Sequence, residues 1–331
     1  MKFSVIVIAF DRKIFIKGAI LSILRTGLDT SNIEIIVVKN FMDREIDEFI
    51  SQNNAIGIFT ERQGLSDKVL MGVELSSGDY ICFLEDDDEF TKDKIVRLRN
   101  LIANHPGIDY IHNGHSIMRD GNMTRGHLYP GVNRITHVVN RNEKLFNAFI
   151  NTGSFFNLSS LTISKRFGIY LLKTLKNGFT NIVDLAIFVE AFESERLTLL
   201  FVPDELTTYR VSNNSHFFLM NYKSFCEAEW NLAKKEIYEI EKYLESENLI
   251  FSVDGLKCLL NGWKIRHLLY SPKISEREDS LTFINAAINC FLNHYSLIGG
   301  LNVLLSFITF LNKSLGGRMF YIYRSIQIKM L

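Results

Sequence analysis

Short apolar runs alternate with amphipathic segments along the first ninety residues of the chain. The runs are rich in valine and isoleucine, which predicts buried strands at residues 3–10, 33–38, 56–60 and 80–84. Apolar positions at helical spacing follow the first run and predict a helix at 13–25. A further helix is predicted at 68–75, with Ser66 or Asp67 as its cap. Alternation of this kind predicts an α/β fold with a doubly wound, mostly parallel sheet and right-handed crossovers.

The second half of the chain has longer amphipathic patterns. Alternating or apolar runs predict strands at 109–118, 199–202 and 206–211, and a helical region is predicted at 222–249, which is charged and amphipathic, and another at about 256–270. We therefore predict two domains. Residues 1–218 form an α/β domain that contains the sheet, and residues 219–331 form a helical C-terminal extension.

Composition excludes some classes of function. Lys+Arg and Asp+Glu both total 37, so the net charge is zero and no nucleic-acid partner is predicted. The four cysteines are far apart and form no CxxC pair, and we interpret them as reduced thiols of a cytoplasmic protein.

Five consecutive carboxylates follow the predicted strand 80–84. Residues 85–89 read EDDDE and stand at the carboxyl end of this strand, the edge at which open α/β sheets bind ligands. Hard oxygen ligands suit Mg²⁺ or Mn²⁺ shared with substrate phosphates, whereas the alternative is a solvated acidic turn. Two more loops, 11–12 and 39–40, are predicted to meet the acidic loop at the same edge.

Three stretches carry a resemblance to the family 2 glycosyltransferases. VIVIAFDRKIFIKGAILSIL resembles the opening strand and helix of that family, and IEIIVVKN resembles its second strand. QGLSDKVLMGVELSSGDYICFLEDDDEF resembles the span that ends in F-L-D-A-D-D, and the pattern runs in order over about residues 4–90. The resemblance implies a GT-A fold and a nucleotide-diphospho-sugar donor whose two phosphates are bridged by Mg²⁺ or Mn²⁺.

The resemblance also assigns the acidic residues. Aligned on F-L-D-A-D-D, Glu85 takes the first acidic place, Asp87 takes the metal-ligand place and Asp88 follows. Asp86 stands where the family tends to have a small residue, and it either faces away or shares the ion. We predict metal contacts from Asp87, Asp88 and, from a later loop, His216, for which plain exposure is the alternative.

Donor contacts are predicted on several loops. Phe10 either stacks on the base or belongs to the core, and Lys39 stands where the family commonly has a carboxylate that binds the base. Lysine cannot accept a hydrogen bond, so the identity of the donor stays open. The residues predicted to contact the donor are Phe10, Asp11, Arg12, Lys39, Asp67, Glu85, Asp86 and Arg210.

The catalytic base is predicted in the stretch FTNIVDLAIFVE. The family has a glutamate–aspartate pair there, and in this chain Val183 replaces the glutamate while Asp184 remains. The resemblance makes Asp184 the base, and the alternative is a carboxylate that only stabilises a helix start. Before it, residues 151–165 resemble the acceptor side of the family, or are an ordinary polar loop.

The stretch LLFVPDELTTYRVSNNSH, residues 199–216, resembles the closing pattern of the family. Arg210 within it either pairs with an acidic-loop carboxylate or reaches a phosphate. The tail beyond is apolar between 281 and 311 and has basic flanks. It is predicted to contact an anionic membrane peripherally, or else to pack internally or in a homo-oligomer interface.

Together these patterns predict an inverting, metal-dependent, hexosyltransferase-like enzyme of polysaccharide biosynthesis. It would move a sugar from a nucleotide-diphospho-sugar to a hydroxyl of a glycan, lipid or other cell-surface precursor, in the cytoplasm and at the inner face of the membrane if the tail binds there. One alternative is a non-catalytic GT-A protein that binds a glycan or a partner. The other is a sugar nucleotidyltransferase, which would need a glycine-rich loop that IAFDRK lacks.

Overall fold

A computed structural model describes residues 1–10, 13–26, 32–119, 121–124, 131–211, 222–245 and 249–270, with a few isolated positions beyond. Its strands are β1 Phe3–Ala9, β2 Ile33–Lys39, β3 Ile56–Phe59, β4 Tyr80–Glu85, β5 Glu89–Phe90, β6 Tyr110–Arg119, β7 Asn122–Thr124, β8 Thr136–Val138, β9 Leu161–Ser164 and β10 Leu199–Val211. Its helices are α1 Ile16–Leu24, α2 Arg44–Gln52, α3 Leu65–Leu75, α4 Lys94–Asn104, α5 Glu143–Thr152, α6 Lys165–Thr174, α7 Val183–Glu193, α8 Tyr222–Leu244 and α9 Val253–Tyr270.

The strands of the described ranges form one sheet in the order β3-β2-β1-β4-β9-β6-β10-β5, with β7 beside β6 and β8 beside β10. Strands β3, β2, β1 and β4 are parallel to one another, and β6 is parallel to β10. Strand β9 is antiparallel to both of its neighbours and joins the two parallel parts. The predicted α/β sheet is therefore confirmed, and α8 and α9 supply the predicted helical region after it.

Strand β1 lies in the middle of the first parallel part. All seven of its residues are buried, as its valines and isoleucines predict for a strand covered on both faces. Helix α3 packs closely over β1 at Gly72, where a Cβ atom would lie only 2.4 Å from Cγ2 of Ile6. This close packing fixes where the N-terminal end of α3 stands relative to the edge of the sheet.

Helix α3 begins directly after Gly64, earlier than the sequence pattern predicts, and no side chain caps it. Ser66 and Asp67, predicted as caps, bind the loop before α7 instead. Ser66 Oγ accepts a hydrogen bond from the N–H of Phe179 at 2.9 Å, and Asp67 Oδ2 accepts one from the N–H of Gly178 at 3.1 Å. A Cβ on Gly64 would lie 2.9 Å from the backbone Cα of Gly178, so this close approach of the two loops favours glycine there.

The predicted strands 199–202 and 206–211 are one strand, β10. It follows β6 in parallel register, with irregularities between Val202 and Glu205 and between Glu205 and Thr207. Pro203 has no N–H to donate to a ladder, so a shift of register at this point keeps the pairing on both sides.

The chain divides into two compact units. One comprises Met1–Arg141 and Thr152–Val211 and contains the sheet, and the other comprises Asn142–Asn151 and the described part of Ser212–Leu331. The predicted boundary at residues 218 and 219 stays a prediction.

Cys82 and Cys226 are free thiols, whereas Cys258 is disulfide-bonded. The prediction of four reduced thiols is therefore wrong at Cys258. No helix among the described residues is long and apolar enough to cross a membrane. The tail predicted to contact a membrane, 281–311, falls almost wholly outside those residues.

Candidate functional site

The carboxyl ends of three parallel strands meet at one edge of the sheet. Ile8 of β1 stands opposite Glu85 of β4, and Ala9 stands opposite Lys39 of β2. The N–H of Asp86 donates to the carbonyl of Ile8 at 3.1 Å, so the acidic loop starts against the end of β1. The predicted convergence is confirmed for the loop that begins at Lys39 and for the acidic loop. The third predicted loop, Asp11 and Arg12, lies outside the described residues.

Asp86 connects the acidic loop to the residue after β1. Its side chain is fully buried, and Oδ2 accepts the N–H of Phe10 at 2.9 Å. The Phe10 ring is half-buried and carries the ammonium of Lys68 at 3.1 Å from its centroid. A cation and an aromatic face therefore stand together beside the acidic loop.

Arg210 of β10 holds the acidic loop from the other side. Its N–H donates to Asp88 Oδ1 at 2.9 Å, and its Nε donates to the carbonyl of Asp87 at 2.8 Å. Its guanidinium pairs with Glu89 at 2.5 Å and lies over the ring of Phe15. Of the two alternatives for Arg210, the structure thus shows the pairing with an acidic-loop carboxylate.

The Asp88 carboxyl group is buried beside a second carboxylate. Burial and then the negative charge of Asp87 raise its pKa to about 7, although the nearby polar side chains of Ser159 and Asn157 and the N–H of Arg210 oppose that rise. A divalent cation would relieve this repulsion, and carboxylate oxygen is the ligand that Mg²⁺ and Mn²⁺ prefer. The Asp87 and Asp88 pair therefore fits part of a metal site.

The described residues alone do not complete a metal site. They contain no group of three or more His, Cys, Asp or Glu side chains arranged to hold an ion. The third predicted ligand, His216, lies outside the part of the chain that the structure describes.

Asp184 lies in the first turn of α7, where the sequence pattern predicts a helix start. Its Oδ1 accepts the N–H of Leu185 at 2.8 Å, and its Oδ2 accepts the N–H of Asn157 at 3.2 Å. Burial raises its pKa to about 6 despite these bonds. A carboxyl group that titrates near neutral pH suits a general base.

Two groups that sequence reasoning missed connect the carboxylates. Asn157 has a positive φ of 78°, and the 3₁₀ helix Leu158–Ser160 follows it. Ser159 Oγ accepts the N–H of Glu85 at 2.9 Å. Asparagine enters the left-handed region more readily than most residues, but most asparagines do not adopt it. The sequence alone therefore does not indicate that Asn157 has a positive φ.

Lys94 anchors this 3₁₀ helix and is the other missed group. The side chain is fully buried, and Nζ donates to the Ser159 carbonyl at 2.7 Å and to Thr207 Oγ1 at 2.9 Å. Burial lowers its pKa to about 7. Lys94 precedes Leu98 and Leu101 at helical spacing, so its place on the buried face of α4 was readable from the sequence.

Two predicted donor contacts have partners within the fold. Lys39 Nζ lies 2.8 Å from Asp47 of α2 and donates to the carbonyl of Phe41 at 2.7 Å. Asp67 holds the loop before α7, as described, and lies 3.6 Å from the guanidinium of Arg62. Their donor contacts stay predictions.

Residues 4–161 match the sequence model of Glycosyl transferase family 2. This span contains the acidic loop and most of the sheet. The resemblance predicted from the motifs is thereby confirmed.

Two curated relatives are similar over part of their length. An uncharacterized glycosyltransferase of Haemophilus influenzae is 27% identical over 113 residues, which are 33% of this chain and 37% of that protein. The GalNAc(5)-diNAcBac-PP-undecaprenol beta-1,3-glucosyltransferase of Campylobacter jejuni is 29% identical over 182 residues, which are 50% of this chain and 54% of that protein. The chain thus matches about half or less of the length of either relative.

Solved structures with the same architecture cover nearly the whole chain. TarS of S. aureus, residues 1–349 in complex with UDP-GlcNAc, has a TM-score of 0.56 at 15% identity and covers 99% of this chain and 90% of its own. The mannosyltransferase PcManGT of Pyrobaculum calidifontis, in complex with GDP-Man and Mn²⁺, has a TM-score of 0.54 at 11% identity, with coverages of 99% and 85%. The predicted GT-A fold is confirmed.

Proposed function

We propose that this protein is an inverting, metal-dependent glycosyltransferase that moves a sugar from a nucleotide-diphospho-sugar to an acceptor hydroxyl. The main support is a pair of carboxyl groups of raised pKa, the buried Asp88 and the half-buried Asp184, which one short segment connects at the carboxyl edge of the sheet. The match to Glycosyl transferase family 2 supports the same reaction, as do the nucleotide-sugars bound by TarS and PcManGT.

In this proposal the acidic loop serves the donor. Asp87 and Asp88, with His216, would hold Mg²⁺ or Mn²⁺, which when bound neutralises charge that develops on the leaving diphosphate. Arg210 keeps the loop in place through Asp88, the Asp87 carbonyl and Glu89. Fixed carboxylates need no rearrangement at the moment of transfer.

Phe10 with Asp11 and Arg12 would contact the base and phosphates of the donor. Glu85 and Asp86 complete the donor side, Asp86 by holding the backbone of Phe10 where the ring is needed. A donor contact from Lys39 or Asp67 would compete with the partner that each side chain already has within the fold.

Asp184 would accept the proton of the acceptor hydroxyl. A direct displacement needs one base opposite the leaving group and no covalent intermediate, and it inverts the anomeric configuration. The Campylobacter relative is named for transfer to an undecaprenol-diphosphate-linked glycan, which supports a lipid-linked or glycan acceptor. Such an acceptor favours a cytoplasmic protein at the inner face of the membrane.

The test is a donor screen on the purified chain. UDP- and GDP-sugars are supplied with Mn²⁺ or Mg²⁺, and release of the nucleoside diphosphate is measured with and without a chelator. We expect metal-dependent release from at least one donor, and an inverted anomer in the product by nuclear magnetic resonance. Donor binding without any release would favour the non-catalytic alternative.

A further inference from the structure

Residues 157–160, called the bridge segment here, lie between the two halves of the proposed site. The segment comprises Asn157 and the 3₁₀ helix Leu158–Ser160, and it leads directly into β9. Both of its ends bind groups outside it. The neighbours of the bridge segment are therefore the acidic loop on one side and the start of α7 on the other.

Asn157 has the contacts that join the two sides. Its N–H donates to Asp184 Oδ2 at 3.2 Å, and its own Oδ1 accepts the N–H of Ser159 at 2.8 Å. Its side-chain amide is near enough to lower the pKa of the buried Asp88 carboxyl group, although neither Asn157 Nδ2 nor Asp88 Oδ2 has a hydrogen-bond partner among the described residues. The backbone of Asn157 thus donates a hydrogen bond to the proposed base, and its side chain lies beside the acidic loop.

The backbone of Asn157 is held in an unfavourable conformation. Its φ is 78°, and it is only 2% exposed. Among the described residues, the one other non-glycine residue with positive φ is Asn54, which is exposed at the end of α2. Strain of this kind persists where the surroundings over-determine it, and it concentrates at functional sites.

Ser159 fixes the other end of the bridge segment. Its Oγ accepts the N–H of Glu85, the first residue of the acidic loop, at 2.9 Å. Its carbonyl accepts bonds from Lys94 Nζ at 2.7 Å and Thr207 Oγ1 at 3.0 Å. Since every polar group of Ser159 is bonded, the segment cannot shift without moving the acidic loop.

We propose that Asn157 is a positioning residue that fixes the acidic loop and Asp184 in register with each other. The inference rests on the proposed function, because it gives the two carboxyl groups their roles. Asparagine is suited to this place, since it tolerates the left-handed backbone, caps the 3₁₀ helix through Oδ1 and presents a neutral donor to Asp88.

Two substitutions separate positioning from simple capping. Asn157→Gly keeps the backbone conformation but removes the side chain, so that kcat should fall by about 10- to 100-fold, as for a small misplacement of reacting groups. Asn157→Asp keeps the backbone and the Oδ1 cap but puts a third carboxylate against Asp88. Aspartate caps as well as asparagine does, so a role in capping alone predicts full rescue, whereas positioning predicts none.

The matched control is Asn54→Gly, the same change at the exposed left-handed residue, which should leave kcat unchanged. Binding of UDP with Mn²⁺, measured by calorimetry, gives a second reading, and we expect Asn157→Gly to weaken it, because an acidic loop that is displaced holds the ion less well. Circular dichroism shows whether each variant is folded. If Asn157→Gly does not fold, Asn157→Asp, which retains every backbone preference, decides the question.

Wild-type kcat in Asn157→Asp, or a change of less than twofold in Asn157→Gly, overturns the inference. A wild-type chain that binds UDP with Mn²⁺ but transfers no sugar overturns the proposed function. The UDP affinities of wild type and the Asn157 variants then still test whether Asn157 positions the acidic loop. A wild-type chain that neither binds nor transfers overturns both.

Discussion

Asp88, which is buried, and Asp184, which is half-buried, both have carboxyl groups with a raised pKa, but their neighbours differ in one respect. Asp88 has another carboxylate, Asp87, as its immediate neighbour, and the charge of Asp87 is the largest cause after burial of a pKa of about 7. For Asp184 burial is the one cause that raises the pKa, to about 6, and backbone N–H groups lower it.

That difference indicates two kinds of chemistry. The carboxylates of Asp87 and Asp88 repel each other and are held together by backbone and arginine contacts. A divalent cation between them would neutralise that repulsion. A lone carboxyl group whose pKa is moved toward neutrality by burial can accept and release a proton near physiological pH. The acidic loop is therefore suited to a metal, and the start of α7 is suited to a base.

The largest expected effect comes from removing the charge of Asp87. Asp87→Asn should lower transfer by about a thousandfold or more, the loss typical of removing one group that stabilises transition-state charge. Mn²⁺ should raise the unfolding temperature of the wild type and leave that of the variant unchanged. Turnover assays and thermal unfolding check both, with the exposed Asp93→Asn as the control. Near-wild-type turnover would show that Asp87 is no ligand.

Removing the base should separate chemistry from binding. Asp184→Asn should lower kcat by about 10²- to 10⁴-fold, the usual contribution of a general base. UDP affinity in the presence of Mn²⁺ should change little, because the proposed role of Asp184 is toward the acceptor and not toward the diphosphate. Kinetics and calorimetry on the same preparation measure both quantities. An unchanged kcat would leave Asp184 with the helix-dipole role alone, which Asn also fills.

The first parallel part of the sheet and the acidic loop were predictable from sequence. Local strand–helix alternation specifies β1 to β4, and the register of Ile8 with Glu85 follows from parallel pairing. The bonds of Asn157 were not predictable, because they join residues far apart in the chain. Asp184 is 27 positions from Asn157, and Ser159 is 74 from Glu85.

The predicted caps of α3 show the same limit. Ser66 and Asp67 stand at a helix start, where local rules give them a capping role. Tertiary structure gives them the loop before α7 instead, since the N–H groups of Gly178 and Phe179 are there to be bonded. Local rules identify Ser66 and Asp67 as polar residues at a helix start, but packing between distant parts of the chain determines which N–H groups they bond.

A third prediction concerns the pH dependence of transfer. Because Asp184 must be deprotonated to act as base, and its pKa is about 6, kcat should rise with pH through that value. The rate at pH 5 should be about one tenth of the rate at pH 7, from the fraction of the group that is ionised. A pH–rate profile with saturating donor, acceptor and Mn²⁺ measures this, and a flat acid limb would contradict it.

The smallest effect is on stability, and it depends on pH. The folded-state pKa of Asp184, about 6, is above the ordinary value of 3.8, so the folded protein binds the proton more tightly than the unfolded chain does. The stability this gives is fully present below the unfolded pKa, and it is lost as pH rises through the folded pKa. Wild type should therefore lose stability between pH 5 and pH 8 through this group.

Asp184→Asn lacks the titrating group and should not show that loss. Asparagine also has one acceptor where the carboxyl group has two, so its stability at any single pH includes a constant penalty from Asn157 or Leu185. The change with pH is free of that constant, and relative to wild type the variant should gain about 1 kcal/mol between pH 5 and pH 8. Urea unfolding at both pH values measures it, with the exposed Glu195→Gln as control. A difference that stays constant with pH would mean that burial does not raise the pKa of Asp184, and the distinction between the two carboxyl groups would then rest on Asp87 alone.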